Sequence, residues 1–204
     1  MPEIAALLWD VGGVVLSNGW DHEGRRAAAA HFGLDAADLE RRHTSLARRL
    51  ETGGMDWAEY LASTVFYAPR PFSAEEFRRF VWERSTPFPA ALECARSLRR
   101  SGRYVQVALN NESRELNEYR IARYRLNELF HAFLSSCYTG RWKPEPEAFR
   151  NALDVLQRSP EECLFLDDRP ENIAAGAAAG LRTLLVRSPE QIREDLLVAG
   201  VSPG

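Results

Sequence analysis

Short apolar runs alternate along the chain with longer stretches of helical periodicity. The apolar runs predict strands buried on both faces, and they span residues 4–9, 104–109, 132–135, 163–166 and 183–186. Apolar positions three or four residues apart predict the intervening helices, over residues 88–101, 114–130, 146–157 and 171–179. Strands that alternate with helices form parallel sheets with right-handed crossovers. We therefore predict an α/β fold with a Rossmann-like, three-layer core and a central parallel sheet.

The stretch from about residue 20 to residue 85 departs from this alternation. It contains no convincing strand, and its periodicity predicts helices near 21–32, 36–51, 57–65 and 74–84. Glycine and proline separate these segments. We predict a core domain formed by residues 1–19 and 86–204, with a helical subdomain inserted over residues 20–85.

Composition excludes several classes of function. No apolar run approaches the roughly 20 residues that a membrane span needs. The formal net charge is −3 and there is no basic stripe, which argues against nucleic acid as a partner. The first residues lack the features of a secretory signal, so we expect a cytoplasmic protein. Cys94, Cys137 and Cys163 match no paired ligand spacing, and we predict that they are reduced core residues.

The basic residues are unevenly divided between arginine and lysine. Of the 26 Lys and Arg residues, Lys143 is the single lysine. A lysine ammonium is a compact point charge and an arginine guanidinium is a planar fork, so a site built around an ammonium does not accept the exchange easily. This contrast favours a functional role for Lys143.

Polar residues follow the predicted strands at their carboxyl ends, where open parallel sheets bind ligands. They are Asp10, Asn110, Asn111, Lys143, Asp167 and Asp168. Clustered carboxylates repel one another unless a cation lies between them, and a few hard oxygen ligands suit Mg²⁺. A carboxylate can attack phosphorus when the metal and an ammonium neutralise the phosphoryl oxygens. The alternative is that Asp167 and Asp168 merely begin a helix.

This ordered set resembles the haloacid dehalogenase superfamily, whose hydrolases form an aspartyl phosphate. The resemblance spans nearly the whole chain, through the motifs LWDVGGVVL (8–16), ALNNE (108–112), RWKPEP (141–146) and FLDDRPEN (165–172). In detail the chain is similar to phosphatases with a small helical cap in the first insertion site. That branch includes bacterial sugar-phosphate phosphatases and the amino-terminal domain of soluble epoxide hydrolases. The subdomain over residues 20–85 would be this cap.

The resemblance implies a role for each motif residue. Asp10 would attack phosphorus and also bind Mg²⁺, together with the backbone carbonyl of Gly12 and the carboxylate of Asp168. Asp167 and Asn172 would support that loop.

The same resemblance implies how the phosphate is held. Lys143 would bridge Asp10 and the transferring phosphoryl group, while Asn110 and the Asn111 backbone would hold the phosphoryl oxygens near Gly12.

Two positions depart from the pattern of the superfamily. Gly12 stands where a second aspartate usually protonates the leaving group, and Asn110 stands where serine or threonine is usual. Some members of the branch also carry glycine there, so loss of activity does not follow. The proton would come from a cap residue, water or the substrate, and we expect slow turnover. Trp20, His22 and Arg25, at the entry to the cap, are candidates for facing the substrate.

We therefore predict a Mg²⁺-dependent phosphomonoester hydrolase that acts on a small phosphorylated metabolite, as a monomer or homodimer. One alternative is a phosphate-ligand-binding protein that has lost catalysis, which Gly12 and Asn110 together would explain. A 2-haloacid dehalogenase is the second alternative. It needs no metal and typically carries small polar residues where this chain has Asp167 and Asp168.

Overall fold

The computed structural model describes residues 2–202, and its centre is a five-stranded parallel sheet. The strands are β1 (Ala6–Trp9), β2 (Val105–Ala108), β3 (Ala132–Phe133), β4 (Cys163–Asp167) and β5 (Arg182–Leu185). Their order is β3-β2-β1-β4-β5, and every neighbouring pair is parallel. The predicted α/β fold and all five predicted strands are confirmed.

Ten α-helices accompany the sheet in the described residues. They are α1 (His22–Phe32), α2 (Ala36–Glu51), α3 (Trp57–Thr64), α4 (Ala74–Glu83), α5 (Pro89–Ser101), α6 (Arg114–Tyr124), α7 (Ser136–Thr139), α8 (Pro146–Leu156), α9 (Pro170–Ala178) and α10 (Ile192–Val198). The eight predicted helices are all present, whereas α7 and α10 were not predicted. The helix predicted over 114–130 was too long, because Arg125 adopts a left-handed conformation that ends α6.

The sheet forms the middle of three layers. Leu7 and Trp9 of β1 pack into one apolar cluster with residues of α5 and α10. Ala6 and Leu8 point to the other face and pack into a cluster with residues of α8 and α9. Alternate residues of a strand face opposite sides of a sheet, so both faces of β1 are buried. This explains its continuous apolar sequence.

Helices α1–α4 have an apolar cluster of their own. Trp20, Tyr60 and Phe77 are buried in this cluster, which also includes Leu116 from α6 of the core. A side chain at the start of each of these four helices accepts a hydrogen bond from the backbone of the first turn; these N-cap residues are Asp21, Asp35, Asp56 and Ser73. The predicted cap boundaries at 20 and 85 remain a prediction.

The length and hydropathy of a helix determine whether it could cross a membrane. Among residues 2–202, no helix combines the length and the apolar character that a bilayer crossing requires.

The packing of α8 against the sheet can be tested by its effect on stability. Phe149 is fully buried, and its ring meets that of Phe165 edge to face at a centroid distance of 5.3 Å. We expect Phe149→Ala to lower the free energy of unfolding by about 3–5 kcal/mol, because it opens a cavity in the core. On the same helix Val155 is 55% exposed, and Val155→Ala should change that free energy by less than about 0.5 kcal/mol. Urea denaturation followed by circular dichroism measures both, and equal losses would contradict this view of the core.

Candidate active site

Three carboxylates meet where β1 and β4 end. The chain runs from β1 outward to β2 and β3 and then returns to β4 on the other side of β1, so the order reverses between these two strands. Ligands bind in α/β sheets at such a reversal. The Asp10 amide donates to the Leu166 carbonyl at 2.8 Å, which fixes the two strand ends in register. Asp10, Asp167 and Asp168 each offer one oxygen within 4.8 Å of the others.

Lys143 lies between two of these carboxylates. Its Nζ is 2.6 Å from Asp167 Oδ2 and 3.2 Å from Asp10 Oδ1, and the residue is only 2% exposed. Asn111 binds the Lys143 backbone on both sides: its Oδ1 accepts from the amide at 2.9 Å and its Nδ2 donates to the carbonyl at 2.8 Å. The loop after β2 thus fixes the lysine against the ends of β1 and β4.

Neighbouring donors separate the roles of the two adjacent aspartates. Asp167 is fully buried and accepts from Asn172 Nδ2 at 3.0 and 3.1 Å and from the Arg169 amide at 2.8 Å. Asp168 Oδ1 is also buried, but it has no hydrogen-bond partner among the described residues. Asp167 is satisfied by the protein, whereas Asp168 keeps an oxygen for a ligand.

Negative charge exceeds positive charge in this cluster. The pKa of Asp10 is raised to about 7: burial raises it most, Asp167 and Asp168 also raise it, and Lys143 and the Val11 amide oppose them. Burial, followed by the neighbouring Asp167, also raises the pKa of Asp168. A hard divalent cation would supply the missing positive charge, and carboxylate oxygens are the ligands that such cations prefer. The unpartnered Asp168 oxygen therefore fits a metal site.

The glycine pair after β1 lets the backbone approach this cluster. A Cβ on Gly13 would lie 2.1 Å from Asp168 Oδ2, and the φ of Gly13 is +76°, so only glycine is accommodated there. A Cβ on Gly12 would lie 2.5 Å from Asn18 Oδ1, so the Asn18 amide fills the space beside that residue. The metal and phosphate contacts of Gly12 remain predictions.

Asn110 lies at the site but is bound inside the core. It is 2% exposed; its Nδ2 donates to Asn117 Oδ1 at 3.1 Å and its Oδ1 accepts from Ser135 Oγ at 2.7 Å. Asn111, by contrast, lines the open cavity. The predicted phosphate contact of Asn110 stays a prediction, and it would depend on the second N–H of the amide.

A cavity of about 370 Å³ joins the carboxylate cluster to the cap. Asp10, Gly12 and Lys143 line its floor, and the cap candidates Trp20, His22 and Arg25 lie along its other side. The substrate roles of these cap residues remain predictions. The guanidinium of Arg25 forms two 2.7 Å bonds to Glu40, which leaves it little capacity for a ligand.

His43 also lines this cavity, and a hydrogen-bond chain from Trp20 through Tyr60 holds its ring. Trp20 Nε1 donates to the Tyr60 hydroxyl at 2.9 Å, and that hydroxyl lies 2.9 Å from His43 Nδ1. An indole nitrogen only donates, so the Tyr60 hydroxyl accepts from Trp20 while it also contacts the imidazole of His43. Burial lowers the pKa of His43 to about 4, which keeps the ring neutral near pH 7.

The sequence did not single out several cavity residues. They are His43, Glu51, Glu112, Arg120, Trp142 and Arg169. Glu112 forms a buried ion pair with Arg120 at 2.8 Å, and burial raises the pKa of Glu112. His43 and Glu51 belong to α2, where polar residues between arginines resemble a solvated helix face. The sequence offered one sign that Glu51 could lie at the site: it stands at the end of a predicted helix, just before Gly53 and Gly54.

Comparison with families and known proteins agrees with this geometry. A family model described as a haloacid dehalogenase-like hydrolase matches residues 4–180. Bifunctional epoxide hydrolase 2 of Rattus norvegicus is 31% identical over 132 residues, which are 63% of this chain and 24% of that protein. Pyrophosphatase PpaX of Bacillus cereus is 29% identical over 117 residues, 57% of this chain and 52% of that protein. The chain thus matches about a quarter to a half of these relatives.

A solved structure has the same fold. It is a HAD family enzyme of Bacteroides thetaiotaomicron in complex with magnesium and inorganic phosphate, at 21% identity and a TM-score of 0.76. The match covers 89% of this chain and 93% of the other.

The raised pKa of Asp10 generates a prediction for the metal-free protein. Between the ordinary pKa of 3.8 and about 7, the folded state retains a proton that the unfolded state has lost. Stability therefore falls as pH rises through this range. We expect Asp10→Asn to gain stability relative to wild type across that window, in the presence of chelator. Urea denaturation at half-unit pH steps measures the difference, and parallel curves for the two proteins would contradict the assignment.

Proposed function

This chain belongs to the haloacid dehalogenase-like hydrolases, and we propose that it is a Mg²⁺-dependent phosphatase acting on a small phosphorylated metabolite through an aspartyl phosphate. One observation carries the proposal: three carboxylates cluster where β1 and β4 end, and the single lysine of the chain contacts two of them. A structural ion pair would need one carboxylate for this ammonium. The excess of carboxylates suits a site that binds a cation and a phosphate together.

Asp10 is the nucleophile in this proposal. Its Oδ1 accepts from the Val11 amide at 2.8 Å and lies near the Lys143 ammonium, so the carboxylate is held in one orientation. Lys143 favours the ionised form of Asp10 and lies where it can bind a phosphoryl oxygen. Asp167 in turn holds Lys143, which makes it a positioning residue.

The metal would be held by Asp10, Asp168 and the Gly12 carbonyl. When bound, Mg²⁺ would neutralise charge on the phosphoryl oxygens and lower the barrier to attack by an anion. The protein would keep this charge out of bulk water, where it would be screened.

The cavity supports a small polar substrate. Its size of about 370 Å³ lies within the lower part of the range for small-molecule sites. Its cap side presents the neutral ring of His43 and the indole of Trp20. Hydroxyl groups of a sugar or polyol phosphate are partners that such donors and aromatic surfaces bind.

A phosphate-binding protein without catalysis is the second candidate. It is favoured by the absence of a carboxyl at Gly12 and by the engagement of the Asn110 amide with Asn117 and Ser135. A dehalogenase receives less support, because its metal-free chemistry gives no reason for the buried, unpartnered oxygen of Asp168.

Phosphate release tests the proposal. We expect the wild type to hydrolyse at least one member of a panel of sugar, acyl and aryl phosphates with Mg²⁺, and to lose this activity with chelator. Asp10→Asn should reduce kcat/KM by roughly 10³-fold or more, because the nucleophile is removed. The exposed Asp154→Asn serves as the matched control. Tight phosphate binding without any turnover would favour the second candidate.

Metal binding is tested separately at Asp168. We expect Asp168→Asn to weaken Mg²⁺ binding at least about tenfold in calorimetric titration, because it replaces a ligand oxygen. The metal-free variant should be no less stable than wild type, since burial and Asp167 already disfavour the charged form of Asp168. Glu171→Gln, in the same cavity but outside the carboxylate cluster, should bind Mg²⁺ as wild type does. Unchanged affinity in Asp168→Asn would overturn the assignment.

A further inference from the structure

The proposed reaction needs a proton donor for the leaving group, and position 12 provides none. Gly12 has no side chain, and the Asn18 amide occupies the space next to it. Departure of an alkoxide without protonation is slow, so a hydrolase of alkyl phosphates requires an acid within reach of the ester oxygen.

Glu51 is a cap carboxylate that lines the same cavity as Asp10 and Lys143. It is the last residue of α2. Its Oε2 accepts from Trp142 Nε1 at 2.6 Å, and its backbone carbonyl accepts from Ser136 Oγ at 2.6 Å. Both partners belong to the core segment that leads to Lys143. Side chain and backbone of Glu51 are therefore fixed against the catalytic loop.

The surroundings of Glu51 disfavour a permanent charge. A carboxylate at the carboxyl end of a helix faces the negative end of the helix dipole. The pKa of Glu51 is raised to about 7, chiefly by burial and also by the charge of Glu112, beyond β2. Trp142 opposes these effects through its hydrogen bond, as do the charges of Arg169, before α9, and Arg25, on α1.

The fold makes no evident use of the acid at this position. Within residues 2–202, Glu51 has one side-chain hydrogen bond, at Oε2, and Oε1 has none. Glutamine would form a similar contact through its amide oxygen without the cost of burying a carboxylate. An ionisable group held in a cavity against such a cost indicates a chemical role.

We propose that Glu51 is the acid that protonates the leaving oxygen and the base that then activates water. This inference rests on the proposed phosphatase function. In the first step an Asp10 oxygen bonds to phosphorus, the bond from phosphorus to the ester oxygen breaks, and that oxygen takes the Glu51 proton to leave as an alcohol. In the second step water attacks phosphorus and gives a proton to Glu51. The bond from phosphorus to the Asp10 oxygen breaks, phosphate departs, and the Asp10 carboxylate is restored.

Leaving groups of different basicity test this role. An alkyl phosphate such as a sugar phosphate needs the acid, whereas p-nitrophenyl phosphate releases a stable anion without it. We expect Glu51→Gln to lower kcat/KM for the alkyl ester by about 10²–10⁴-fold and to change kcat/KM for the aryl ester less than threefold. The ratio kcat/KM reports the first chemical step, so a slow second step does not obscure the result.

The matched control is Glu171→Gln, which removes an exposed carboxylate from the same cavity. This variant should leave unchanged the ratio of kcat/KM for the alkyl ester to kcat/KM for the aryl ester. Equal losses on both esters in Glu51→Gln would show a structural role and overturn the inference, while the aryl activity and its loss in Asp10→Asn would still support the phosphatase. Turnover of neither ester by the wild type would overturn the proposed function and this inference with it.

A second variant tests the protonation state of Glu51 directly. Trp142→Phe removes the N–H that stabilises the Glu51 carboxylate, so the pKa of Glu51 should rise. In the pH profile of kcat/KM for the alkyl ester, activity should fall at high pH, where Glu51 loses its proton. This fall should shift to higher pH in Trp142→Phe and be absent in Glu51→Gln. If the fall of kcat/KM at high pH were the same in both variants as in the wild type, the assignment would be overturned.

Discussion

The contact on which the site depends is that of one buried ammonium with two carboxylates. Lys143 Nζ reaches Asp10 from one side and Asp167 from the other, in a place almost closed to water. Removing such groups from water costs several kcal/mol each, and attraction offsets this only when the remaining donors and acceptors are satisfied. Asn111, Asn172 and the Arg169 amide supply those contacts. A planar guanidinium would not replace this compact ammonium between Asp10 and Asp167 without moving the carboxylates, which favours lysine at this position of an arginine-rich chain.

The topology of the sheet brings these charges together. β1 lies between β2 and β4, so the loops that follow the three strands open onto the same edge. Gly13 then allows the β1 loop to approach Asp168 more closely than any side chain would permit. The apolar sequence of β1 and the polar residues after it are two parts of one arrangement: buried strands fix the positions of the loops, and the loops carry the charges.

Local patterns in the sequence predict the strands and the charged residues of the core, and little beyond them. Each strand was visible as an apolar run, and Asp10, Lys143, Asp167 and Asp168 were visible because they follow such runs. The helix over 114–130 was predicted too long because Leu126, Leu129 and Phe130 continue the apolar pattern of α6 into the core after Arg125 has ended the helix. Apolar periodicity reports burial, and it does not report the φ angle that breaks a helix.

The functional residues on the cap side of the site could not be predicted from local patterns. Contacts between residues that are distant in the sequence define them. His43 is held by hydrogen bonds that run from Trp20 through Tyr60, and no spacing in the sequence encodes that chain. Glu51 resembles any acidic residue near the end of a surface helix until α2 is packed against Ser136 and Trp142. A long-range contact of this kind is a property of the folded chain.

Placement of the acid on α2 has a consequence for catalysis. An aspartate at position 12 would belong to the same loop as the nucleophile and would stay beside it wherever the cap moved. Glu51 instead depends on the contact between the cap and the core. That contact is strengthened one turn earlier by the ion pair of Arg48 with Glu145, on the segment that carries Lys143. The end of α2 is thus bound to the catalytic loop by two hydrogen bonds and one ion pair. In the proposed role, these contacts hold the proton donor against the segment that carries Lys143.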